Sequence, residues 1–172
     1  MPKSINDRTA NARLMMAAFP VELGDDVADG KQDLLSVLMF EVGGAFYAIG
    51  VEHTEGVVDC PRITPLPSPP DGVAGIASVR GRMTVVMDLG LKADDHSSRR
   101  RLILVKGDAQ LGLLADRVDG VLALKPKKVR PIAQGKDSVQ QQRPEFGWHA
   151  KTYFKNGERR VPILDIELLS ET

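Results

Sequence analysis

Side chains with chemical potential are few and scattered along this chain. His53, His96 and His149 stand far apart, and none has a second His, a Cys or a carboxylate at a spacing that suits a metal. Cys60 is the single cysteine, so it has no partner for an internal disulfide and points to a reducing compartment. Ser36, Ser78 and Cys60 are potential nucleophiles, but no elbow motif or local triad surrounds them. The glycines at 43, 44 and 50 fall within a hairpin pattern and open no helix after a strand, which argues against a phosphate-cradling loop. Asp88 and Asp165 occupy equivalent ends of two strand-like runs, where a carboxylate can accept hydrogen bonds from the amides of the following turn. Arg80-Gly81 is more suggestive, because a charge interrupts an apolar run just before a residue that lets the backbone turn or admit a close neighbour. A plain hairpin turn and a binding groove both stay open there. No set of residues supports turnover, so the expectation is a binding protein, not an enzyme, without cofactor or metal.

Bulk composition narrows the class of partner. The 172 residues carry 23 basic and 23 acidic side chains, 42% hydrophobic residues and 27% charged ones, a balance typical of a soluble globular protein. Nucleic-acid binding draws most of its non-specific affinity from an excess of positive charge, which this balance lacks. The short runs Arg99-Arg100-Arg101 and Lys125-Pro126-Lys127-Lys128 read as solvated charges that protect strand edges. At 5% aromatics, Trp148 and Tyr153 read as packing residues and not as a base-stacking platform. The apolar stretch Leu14 to Phe19 is too short for a signal core or a membrane span, so the expected location is the cytoplasm, without membrane insertion.

The elements that must position these residues are mostly short strands. Residues 1–33 read as a tail or linker, in which Asp7 to Phe19 can form one short helix with a narrow apolar stripe. From Leu34 the chain alternates short apolar runs with Gly, Pro and Asp, the pattern of an all-β domain. Leu34 to Val42 and Ala45 to Val51 form a hairpin about Gly43-Gly44. Ala74 to Val79 and Met83 to Leu89 flank Arg80-Gly81-Arg82. Between these pairs, Asp59 to Asp71 holds Pro61, Pro65, Pro67, Pro69 and Pro70, which exclude a helix or central strand.

A second block repeats the first. Leu102 to Val105 and Leu111 to Ala115 make another hairpin, and Gly56-Val57-Val58 recurs as Gly120-Val121-Leu122. At the same offset Glu52 meets Asp116 and Glu55 meets Asp119. Asn156-Gly157 is a strong two-residue turn signal before the last strand, and Leu168-Leu169 closes the chain as a helical turn. The expected fold is therefore two tandem five-stranded SH3-like barrels over residues 34–169, with halves of roughly 34–98 and 99–169 sharing a core.

These residues resemble the CheW family of chemotaxis coupling proteins from about Leu34 to Leu169. Gly75-Ile76-Ala77-Ser78-Val79-Arg80-Gly81 is similar to the family's glycine, x, x, Asn, Leu, Arg, Gly turn, and Val86-Met87-Asp88-Leu89 to its valine, x, Asp, Leu strand. Gly112 to Leu122 resembles the second-half signature and Val161 to Leu169 the terminal strand and helix. The resemblance implies two five-stranded barrels and an adaptor without catalytic chemistry. Its expected partners are the regulatory domain of the histidine kinase CheA and the cytoplasmic tip of methyl-accepting receptors, at membrane-associated arrays. It places partner contacts at Val79, Arg80 and Gly81 and around Gly56, Val57 and Ile63. A glutamate often paired with the turn arginine falls here on Gly56. Glu55 is adjacent, but a one-residue shift along a strand turns its side chain to the opposite face. Ser78 replaces the usual Asn, and Gly90 stands where Arg is frequent. These departures leave room for a divergent scaffold that localises or stabilises arrays, with a nucleic-acid-binding barrel as the remaining alternative.

Overall fold

The computed structural model describes residues 21–23, 33–89, 100–107, 110–132 and 150–170. In chain order the strands are β1 (Val21–Leu23), β2 (Leu35–Val42), β3 (Ala45–Gly50), β4 (Thr54–Asp59), β5 (Val73–Val79), β6 (Arg82–Met87), β7 (Arg101–Val105), β8 (Leu111–Ala115), β9 (Arg117–Leu124), β10 (Arg130–Pro131), β11 (Ala150–Asn156) and β12 (Arg159–Leu164), followed by helix α1 (Ile166–Ser170). The helix expected over Asp7 to Phe19 lies outside the described residues.

Turn chemistry sets the hairpins. Gly43 and Gly44 both have positive φ, 56° and 80°, as a two-residue turn matched to strand twist requires. The last hairpin differs from its expected turn by one residue. Asn156 pairs with Arg159 inside the ladder, which leaves Gly157-Glu158 as the turn, and Gly157 alone carries the positive φ. A single glycine at the first central position suffices for that turn type, so Asn156 is free to remain in the strand.

Two sheets result, in the orders β1-β9-β2-β3-β12-β11-β10 and β4-β7-β8-β6-β5. The repeat in the sequence is real at the level of pairing. β2, β3 and β4 correspond to β7, β8 and β9, and both sheets contain the same antiparallel hairpin joined in parallel to the closing strand of the other half, β3 to β12 and β8 to β6. The two sheets nevertheless do not follow the two halves of the chain. β4 crosses to pair with β7, and β9 crosses back to pair with β2, so each half lends its third strand to the other's hairpin. The division near residue 98 therefore separates neither sheet.

Neither sheet closes into a full barrel by strand pairing. In the second sheet the chain that joins its edge strands β4 and β5 is the proline-rich segment, and prolines cannot donate to a ladder. Only Thr64 bridges across, to Ile76, with Thr64 N donating to Ile76 O at 2.7 Å and Ile76 N to Thr64 O at 2.9 Å.

Three apolar clusters hold the layers. Leu38, Phe40 and Ile49 of the first sheet meet Met87, Ile103 and Leu113 of the second in the shared core between the sheets. Val37, Met39, Phe154 and Val161 fill the hollow of the first sheet, and Ala77, Val79, Val86, Leu102 and Leu114 that of the second. Central β2 is covered on both faces, which explains why its apolar run scarcely alternates.

Candidate functional site

The β5–β6 hairpin places Arg80 and Gly81 at its two central positions, with φ of 50° and 77°. Gly81 adopts this region without penalty, but Arg80 carries a Cβ, and a non-glycine residue held there costs about 1 kcal/mol or more. The structure therefore shows the plain hairpin turn, with a charged side chain held at its strained position.

Arg80 reaches over Gly56. A Cβ built on Gly56 would stand 3.9 Å from Arg80 Nη2, so the guanidinium passes over bare backbone of β4. The register of β4 against β7 shifts between Thr54 and Gly56, which makes Glu55 the extra residue of a bulge. Bulges re-aim side chains, and this one overturns the expectation that Glu55 faces away. Glu55 lines the same depression as Arg80, together with Arg82. Buried Val79, Thr84 and Leu104 form its floor. Arg82 and Thr84 escaped the sequence reading, although their i, i+2 spacing on a strand beside Arg80 is the signal that marks a shared face.

The remaining expected contact residues lie apart. Val57 is half-buried against the core between the sheets, and Ile63 packs against the hollow of the second sheet. Val79 is 8% exposed and belongs to that same hollow, while Gly81 is exposed at the hairpin tip. The structure brings together Gly56, Val79, Arg80 and Gly81, but Val57 and Ile63 serve packing.

No side-chain hydrogen bond or ion pair with a described residue engages Arg80, Arg82 or Glu55. Several other charges are paired. Arg101 pairs with Asp59 at 2.8 Å and Arg100 with Asp116 at 3.5 Å, so two residues of the basic run are neutralised locally. Arg117 holds Asp119 at 2.7 Å and Glu41 at 3.1 Å. Among the described residues no group of His, Cys and carboxylates could hold a metal. His53 is exposed beside Glu52, and His96 and His149 lie outside the described residues, as does Trp148. Burial pushes the Cys60 thiol up against the opposing pull of Arg100, the reverse of an activated nucleophile. Asp165 plays the expected turn role, its Oδ1 accepting from Glu167 N at 3.0 Å. Two exposed guanidiniums beside one carboxylate can recognise an anion by bidentate hydrogen bonds.

Comparison with known proteins fits this arrangement. The chemotaxis protein CheW of Thermotoga maritima is 29% identical over 149 residues, covering 84% of this chain and 93% of that protein. The protein PilI of Pseudomonas aeruginosa is 34% identical over 87 residues, 48% of this chain and 49% of its own length. The crystal structure of the scaffolding protein TtCheW from Thermoanaerobacter tengcongensis superposes with a TM-score of 0.63 at 20% identity, covering 77% of this chain and 89% of that one, and so shares the fold. The family model described as the CheW-like domain matches residues 36–172, and this protein belongs to the CheW-like domain family.

Proposed function

We propose that this protein is a non-catalytic adaptor that couples methyl-accepting chemoreceptors to the histidine kinase CheA, in the cytoplasm at membrane-associated receptor arrays. The functional unit is residues 34–169, preceded by a segment, 1–33, whose residues Val21–Leu23 add strand β1 to the first sheet beside β9. The observation that carries the site is the strained, unpaired Arg80 poised over Gly56, a surface made for recognition within a domain whose family includes proteins named for chemotaxis. Val79 and Arg80 line the partner-facing depression, with Gly56 beneath the Arg80 guanidinium and Gly81 at the hairpin tip, and Val57 and Ile63 pack behind it in the core clusters. Joint contact with receptor and kinase raises their effective concentration and lets the state of one bias the other. Among the described residues no helix is long and apolar enough to cross a membrane.

The test is a pull-down of the purified protein with the CheA regulatory domain and a receptor cytoplasmic fragment, separately and together. One complex holding all three components is the expected result. Failure to retain either partner rules out the adaptor role.

A further inference from the structure

A sheet edge presents amides and carbonyls to which another chain can add, and proteins blunt such edges. Two edges of the second sheet and one of the first are blunted by their own sequence. β10 is two residues long and ends in Pro131, which has no amide to donate. β4 carries the bulge at Glu55, and β5 is bridged at Ile76 by Thr64. The side of β9 that faces away from β2 has no such device. β9 is eight residues long, and its bulge falls early, at Asp119, which the pairing of Met39 with Gly120 and Phe40 with Val118 skips. Residues 120–124, Gly-Val-Leu-Ala-Leu, then carry neither charge nor proline. A straight, uncharged, apolar strand edge is a template for strand addition.

β1 covers that run at its middle. Val21, Glu22 and Leu23 pair in parallel with Val121, Leu122 and Ala123, so the sheet ends instead in a three-residue strand with a carboxylate at its centre. Short, charged strands make poor templates. β1 is also loosely tethered. Leu23 stands beside Ala123 on one side and Ser36 beside the same residue on the other, so the chain between them crosses two strand spacings, about 10 Å, while its length allows about 40 Å. β1 can leave β9 without pulling on β2.

We propose that β1 guards the β9 edge, and that the edge it covers is a docking site for β9 of a second copy of this chain. Two β9 strands running antiparallel are related by a two-fold axis, so each fills the edge of the other. A register centred on Leu122 sets Lys125 of each copy opposite Asp119 of the other, an attraction repeated at both ends of the pair. That complementarity selects a second copy as the occupant. The inference goes beyond the adaptor reading and does not depend on receptor or kinase: release of the N-terminal segment becomes a switch of oligomeric state.

The test replaces both Val21 and Glu22 by proline in the full chain. Consecutive strand amides point to opposite sides, so the double substitution removes the one that faces β9. Sedimentation velocity over a concentration series reads association, and amide exchange reads residues 120–124. Wild type is expected to remain monomeric, and the double variant to dimerise at concentrations about ten-fold lower or less than wild type requires. Exchange at 120–124 should be faster than wild type in the dilute variant and slow again as the dimer forms. Lys125→Asp in the same background should weaken the dimer about three-fold, because like charges then face each other. Equal association of wild type and double variant, a dimer that leaves 120–124 unprotected, or a dimer indifferent to Lys125→Asp overturns the proposal. A double variant that does not fold overturns it too, since β1 would then be part of the fold and not its guard. The pull-down reads receptor and kinase binding separately, so the two readings fail independently.

Discussion

Arg80 concentrates cost and use in one residue. Its φ of 50° is strained for any residue with a Cβ. Replacing it with glycine relieves that strain, and Arg80→Gly is expected to gain about 0.5–1 kcal/mol of stability in urea unfolding. A loss of stability would show that the Arg80 side chain braces the free protein. Arg80→Asp is expected to leave the fold intact and to weaken association with the receptor fragment, because it reverses the exposed charge at the hairpin turn. Unchanged affinity in a folded variant would move the binding surface elsewhere. The sequence pointed to Arg80-Gly81 because a charge next to glycine breaks an apolar run. It placed Glu55 on the wrong side, since a bulge is a backbone irregularity that strict alternation cannot register. A signal was present in the repeat itself. Glu55-Gly56 and Asp119-Gly120 are the same acidic-glycine pair at corresponding positions, and both acidic residues stand at register shifts.

Hairpins were the most legible elements, because paired glycines and short apolar runs act locally. The proline-rich connection was equally plain, but its single bridge to β5 was not, since Thr64 carries no mark of pairing with Ile76. Gly75 makes that bridge possible. A Cβ there would collide with the Thr64 carbonyl oxygen and lie 2.9 Å from Ile63 Cγ2, and its φ is 149°. Gly75→Ala is therefore expected to cost about 2 kcal/mol or more in urea unfolding, with accelerated amide exchange at Thr64 and Ile76. Wild-type stability would mean that the loop is not held by this approach.

At the other end of the chain, Asp165 caps α1 and receives Lys151 Nζ at 2.7 Å. The Lys151 hydrogen bond holds its carboxyl below the usual carboxylate range, opposed by burial and aided by the Glu167 amide. Asp165→Ala is expected to cost about 1 kcal/mol through loss of the cap. A carboxyl with a depressed pKa binds its proton less readily in the folded state, so its contribution is complete above the ordinary carboxylate range and disappears as pH falls through the lowered value. The stability gap between wild type and Asp165→Asn should stay level from neutral pH to about pH 5 and close only in stronger acid. A gap that narrows near neutrality would assign it to another group.

For the molecule as a whole, the repeat could be read from the sequence because equivalent strands retain matching apolar and polar positions. The exchange of β4 and β9 could not. A strand contributes the same alternation whether it joins its own hairpin or its neighbour's, so composition and periodicity are blind to the choice. Charge also reads differently at this scale. The overall balance of zero conceals local pairing at Arg100, Arg101 and Arg117 and local surpluses of positive charge, as at Arg80 and Arg82 beside Glu55 and at Arg159 and Arg160 beside Glu158.

The exchanged strands determine how the chain can come into being. Leu35 must wait for Leu124 and Asp59 for Arg101, so the first hairpin leaves synthesis with its outer edge unfilled until most of the polypeptide exists. Contacts so distant in sequence slow folding and bind the two sheets into one all-or-none event. Residues 34–98 and 99–172 made as separate fragments should each remain unfolded, and mixing them should restore the native circular dichroism spectrum. Cooperative melting of either fragment alone would show that a hairpin can stand without its borrowed edge. An organism making this protein therefore cannot inherit half of it: a truncated message yields no half-working barrel, only a chain awaiting its complement.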